Sequence, residues 1–147
     1  MDSWIILGLG AAILFGFSAV AARIATGHDY FGIPPSVLGI LTLLGITFVF
    51  IPYLIATQQR GEVTYSPRLV AIGLAVGVFW AAATILQFTA LKQGADISRL
   101  APLYNMNTLV AVVLGIILLG ELPEKAHAIR VLTGAALIVL GGILVSM

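Results

Sequence analysis

Between residues 100 and 120 the chain carries no charge, yet it holds two amides, Asn105 and Asn107, flanked by Tyr104 and Thr108. At about 1.5 Å of rise per residue a helix of this length crosses the roughly 30 Å hydrocarbon core of a bilayer. The second half of the run, residues 109–119, contains only apolar residues and glycine. Both amides therefore fall about a third to half of the way across. An amide left in hydrocarbon without a partner costs several kcal/mol, so these side chains must meet protein, water or a ligand.

Four more apolar runs accompany this one. They cover residues 4–25, 35–56, 69–91 and 128–145, and each is long enough for a single crossing. The chain is 61% hydrophobic and only 9% charged, with a mean hydropathy of +1.14. A soluble domain carries about 25% charged residues, so a water-soluble fold is excluded. Period-two alternation is absent, and helices satisfy their own backbone in lipid. The expected fold is an all-α membrane protein, a single domain over residues 1–147 built as a bundle of five transmembrane helices, multi-pass in the cell membrane. The run after Met1-Asp2-Ser3 lacks a basic leader and is long, which predicts a retained helix and not a cleaved signal.

The connections, residues 26–34, 57–68, 92–99 and 121–127, carry start and stop signals. Pro34-Pro35 and Ser66-Pro67 predict the starts of the second and third helices. Asp96 or Ser98 is the expected cap of the fourth, and Glu121-Leu122-Pro123 its stop. Pro52 lies inside the second helix and is expected to kink it. Gly73, Gly77 and Ala81 recur every fourth residue, and Gly134 and Gly141 share a face, which predicts close packing.

Five crossings alternate sides. With the N-terminal side named side A, the connections at 57–68 and 121–127 return to side A, and those at 26–34 and 92–99 lie on side B. Gly73, Gly77, Trp80, Thr84 and Gln87 are spaced by four, three, four and three residues and share one helical face. Gln87 and Asn105 lie at similar depth toward side B, with Ser18 and Arg23 of the first helix in the same half. Two amides two residues apart point about 200° from each other, so one packing contact cannot serve both Asn105 and Asn107. The candidate substrate-binding residues are thus Ser18, Arg23, Trp80, Thr84, Gln87, Tyr104, Asn105, Asn107 and Thr108. Amides supply directional donors and acceptors, and Trp80 and Tyr104 supply faces for a ring-bearing or sugar-like ligand. The competing expectation is that Gln87 and Asn105 bond each other across helices, worth about 0.6 kcal/mol on average in membranes.

Much is excluded. Net charge is +1 and the basic residues are scattered, so nucleic acid is not an expected partner. There is no cysteine, His28 and His127 fall in different connections, and no metal site, cofactor or catalytic pair is expected. All six acids, Asp2, Asp29, Glu62, Asp96, Glu121 and Glu124, lie at helix ends or in connections. Proton coupling through a carboxylate would therefore have to come from Glu121 or Asp96 at the membrane edge.

Three stretches carry a family resemblance. Phe15-Gly16-Phe17-Ser18-Ala19-Val20-Ala21-Ala22-Arg23 resembles the first-helix pattern WG-S-N-F-x-x-x-K of the EamA-type drug/metabolite transporter superfamily. Ala90-Leu91-Lys92 with Ala95 to Pro102 resembles its junction between third and fourth helices, and Gly120-Glu121 with Gly134 and residues 137–142 resembles its closing pattern. The departures are Phe15 for Trp, Phe17-Ser18 for Ser-Asn and Arg23 for Lys. The resemblance implies a transporter, not an enzyme. It also implies that the chain is one five-helix repeat of an inverted-repeat architecture, completed by a second copy as an antiparallel homodimer. Substrate then sits near the midplane, lined by the third and fourth helices. Basic residues number four on side A (Arg60, Arg68, Lys125, Arg130) and three on side B (Arg23, Lys92, Arg99), too even a split for the positive-inside rule, which predicts dual topology. The expected function is transport of a small neutral or weakly charged metabolite or drug by alternating access. Its alternatives are a membrane assembly subunit and a flippase for a lipid-linked sugar.

Overall fold

The computed structural model describes residues 3–58, 66–120 and 125–146. They form six helical segments: α1 (Ser3–Thr26), α2 (Pro35–Gln58), α3 (Pro67–Lys92), α4 (Ile97–Tyr104), α5 (Asn107–Leu119) and α6 (Lys125–Ser146). Among the described residues there is no strand. Among the described residues five spans are long and apolar enough to cross a membrane, α4 and α5 together making the fourth. By contacts the chain divides into two compact units, Met1–Gly94 with α1 to α3 and Ala95–Met147 with α4 to α6.

The start signals act as the local chemistry dictates. α2 begins at Pro35. Ser66 caps α3, its hydroxyl oxygen accepting from the Leu69 amide at 3.2 Å, with Pro67 at the first helical position where no amide is needed. Asp96 occupies the cap position of α4 with an extended backbone, but its carboxylate accepts no capping bond from the helix. Pro52 is carried inside an unbroken α2. α6 starts at Lys125, so His127 belongs to a helix and not to a connection. The proposed stop at Glu121-Leu122-Pro123, together with Asp2, Arg60, Glu62 and Glu124, lies outside the described residues.

The fourth span departs from expectation. The sequence predicts a single helix over residues 100–120, and the chain instead breaks at Asn105 and Met106. Pro102 removes an amide donor just before the break and clashes with the carbonyl one turn back. The backbone then tightens. The Met106 amide donates to the Leu103 carbonyl, Thr108 to Asn105 and Leu109 to Met106, each three residues back instead of four.

Hydroxyls in the spans are hidden by local bonds. Thr42, Thr47, Thr84 and Thr89 each donate to the carbonyl four residues earlier, at 2.7–2.8 Å, so these four side chains need no distant partner in lipid.

In the first unit the buried side chains gather where α1 and α3 end. Ala19, Ala22, Thr26, Phe88 and Leu91 are buried, Leu91 and Thr26 completely. Thr26 donates its hydroxyl to the Ala22 carbonyl at 2.8 Å, which lets a polar residue sit there. The connection to α2 folds back on this end. The amides of Tyr30 and Gly32 both donate to the Gly27 carbonyl at 3.1 Å, and Ile33 donates to Ala25 at 2.8 Å. Gly27 is buried in this corner. A Cβ on it would lie 2.7 Å from the Arg23 carbonyl and 2.9 Å from both the Arg23 guanidinium and the Tyr30 ring, so only glycine fits.

In the second unit α6 packs against α4 and α5. Ala135 and Gly142 are its buried contacts. The expected packing glycines differ: a Cβ on Gly134 or Gly141 would meet nothing within 4 Å, whereas one on Gly142 would lie 3.0 Å from the Pro102 carbonyl oxygen. Gly73 and Gly77 of α3 likewise have open space beside them.

Candidate substrate site

α3 carries the stripe expected from its spacing. Trp80 is 45% exposed, Thr84 and Gln87 are half-buried, and the three lie on successive turns of one helix face. Thr84 spends its hydroxyl proton on the Trp80 carbonyl at 2.8 Å, leaving its oxygen lone pairs as the outward function. Gln87 makes no hydrogen bond within its unit among the described residues, and no buried polar side-chain atom there is left without a partner, so the amide is accessible at its tip. Ser18 is exposed on α1, one turn before the buried Ala22. Arg23 is committed differently. Its guanidinium donates to the Leu91 carbonyl at 3.3 Å and lies 6.0 Å from the centre of the Tyr30 ring.

In the second unit the polar residues coincide with the break. Tyr104 ends α4, Asn105 lies in the turn, and Asn107 and Thr108 open α5. Asn105 and Met106 keep near-helical backbone angles, with φ −67° and ψ −10° at Asn105 and φ −61° and ψ −12° at Met106. The side chains of Asn105, Asn107 and Thr108 are exposed, and within this unit no described residue hydrogen-bonds the two amides. The tight turn also alters the backbone. The amides that would ordinarily reach the carbonyls of Pro102 and Tyr104 donate to Leu103 and Asn105 instead. An apolar span thus gathers two side-chain amides, a hydroxyl and a phenol at a tightened turn within five residues. Polar groups at such a turn inside an apolar span must meet protein, water or a ligand. Among the described residues no cluster of acids, histidines or cysteines is arranged to hold a metal.

These residues sit in a chain whose whole length follows one family pattern. The EamA-like transporter family matches residues 2–147. The chain belongs to that family. No curated protein and no solved structure matches it.

As an EamA-like protein the chain is a multi-pass membrane protein of a transporter family, in keeping with its five apolar spans. Three features of this EamA-like chain escaped its sequence. The helix break was one, although Pro102 four residues before Met106 was its signal. The partner of Gly142 was another, because only packing tells which of two adjacent glycines faces α4. The third was the role of Lys92, whose ammonium donates to the Gly32 carbonyl at 2.6 Å, a pairing sixty residues apart that no local pattern carries.

Proposed function

We propose that this EamA-like chain carries a small neutral or weakly charged molecule across the cell membrane by alternating access, and that two copies associate antiparallel to complete the inverted pair. The supporting observation is the break in the fourth span, where Tyr104, Asn105, Asn107 and Thr108 are concentrated. Trp80, Thr84 and Gln87 of α3 are the candidate contacts that the first unit carries by itself. Side-chain amides with aromatic faces suit amino acids, sugars or nucleobases, which present matching donors, acceptors and planar or ring surfaces. No carboxylate lies in the described spans, so substrate charge is not balanced by an acid there.

Thermal unfolding of the purified protein against a panel of such compounds tests this. A ligand at about a hundred times its Kd raises stability by about 2.7 kcal/mol. A compound that raises Tm for the native chain and not for Asn105→Leu, with equal ligand-free Tm, is the expected result. A shift retained in full by Asn105→Leu removes the broken span from the site, and a panel without any shift counts against a metabolite carrier.

A further inference from the structure

In the first unit burial is confined to one end. Residues 6–18 of α1, 47–57 of α2 and 66–83 at the start of α3 are all exposed, whereas Ala19, Ala22, Thr26, Phe88 and Leu91 are buried. Two long-range bonds close that same end. Arg23 reaches from α1 to the Leu91 carbonyl in the last turn of α3, and Lys92 reaches from the end of α3 to the Gly32 carbonyl in the connection. The Leu91 carbonyl also accepts from the Gly94 amide at 3.1 Å, and it lies at the negative end of the α3 dipole, where a guanidinium is favoured. Gly27 lets the Arg23 side chain lie against the connection, and the amides of Tyr30 and Gly32 tie that connection to Gly27.

We propose that Arg23 and Lys92 are positioning residues that clamp α1, α3 and the intervening connection into one rigid corner on side B, so that the first unit opens and closes only from its side-A end. Arg23 then serves transport through this corner and not through contact with substrate. The consequence for access rests on the carrier reading above: Trp80, Thr84 and Gln87 are reached from side A, between helices hinged at their far ends. The corner itself stands on geometry alone.

The absence of cysteine lets pairs of spin labels be placed cleanly. One pair, at Ile24 and Leu86, reports the clamped end, and the other, at Leu7 and Ile72, reports the open end; all four positions are exposed. Labelled protein is diluted into excess unlabelled chain, reconstituted without substrate, and read by pulsed electron resonance. The expected result is a narrow distance distribution for Ile24–Leu86 and a broad one for Leu7–Ile72. Replacing both cations, as Arg23→Gln with Lys92→Gln, broadens the first and leaves the second unchanged. Two equally broad distributions in the native chain would overturn the clamp. So would a first distribution that stays narrow in the double variant, or one in which both ends broaden with loss of helical circular dichroism, since that marks general stability. The distances are read without transport, so a failed carrier assay and a failed clamp are told apart.

Discussion

Two polar side chains on the same face of α3 are expected to behave differently. Thr84 gives its proton to its own helix and offers a substrate only oxygen lone pairs, so Thr84→Val should leave Tm nearly unchanged and reduce uptake less than loss of the Gln87 amide does. Gln87 has no partner within its unit, so Gln87→Leu should reduce uptake into vesicles strongly while leaving Tm equal or higher. Equal effects of the two substitutions would show that the face is packing surface. Leu91 tests the corner by volume. It is completely buried, and Leu91→Ala should cost about 2–5 kcal/mol through lost contacts and the cavity left behind, seen as a lower Tm in detergent.

At the scale of the element, the broken span depends on two residues acting together. Pro102 withholds the amide that would bond Ser98, and Gly142 of α6 lets the Pro102 carbonyl approach to where a Cβ would stand at 3.0 Å. Pro102→Ala restores a donor inside α4 and should stiffen the span. The expected outcome is slower transport with an unchanged or higher Tm, measured on the same preparation. Gly142→Ala should act oppositely on stability, because the new methyl pushes α6 from α4; overpacking of this kind costs about 1–3 kcal/mol. If Gly142→Ala leaves Tm unaltered, the α4–α6 contact yields without cost and does not fix the break.

The whole molecule raises the question of orientation. Four basic residues on one side and three on the other supply little bias for insertion, and Arg23 and Lys92 are engaged by backbone carbonyls in the folded first unit. Reporters fused after Met147 should therefore be active on both sides of the membrane. Adding two lysines to one connection should shift the population toward a single orientation and lower transport, because the antiparallel pair proposed above needs both. A reporter active on one side alone in the native chain would defeat the dual arrangement.

Composition and the spacing of charges determined most of the fold. Hydrocarbon excludes both free backbone groups and unpaired charge, so five apolar runs of crossing length, without an acid and with charge only near their ends, can only be five helical spans, and Pro35 and Ser66-Pro67 mark the beginnings of two of them by local chemistry. The same rule pointed to Asn105 and Asn107, since an amide in such a run demands a reason. The break at Asn105 and Met106 had its local signal in Pro102, whereas three-dimensional packing alone decided that Gly142 and not Gly141 meets α4, and that Arg23 and Lys92 bind carbonyls distant in sequence. Those outcomes depend on which surfaces meet, and a helix rich in apolar residues on every side leaves no stripe from which its neighbours can be read.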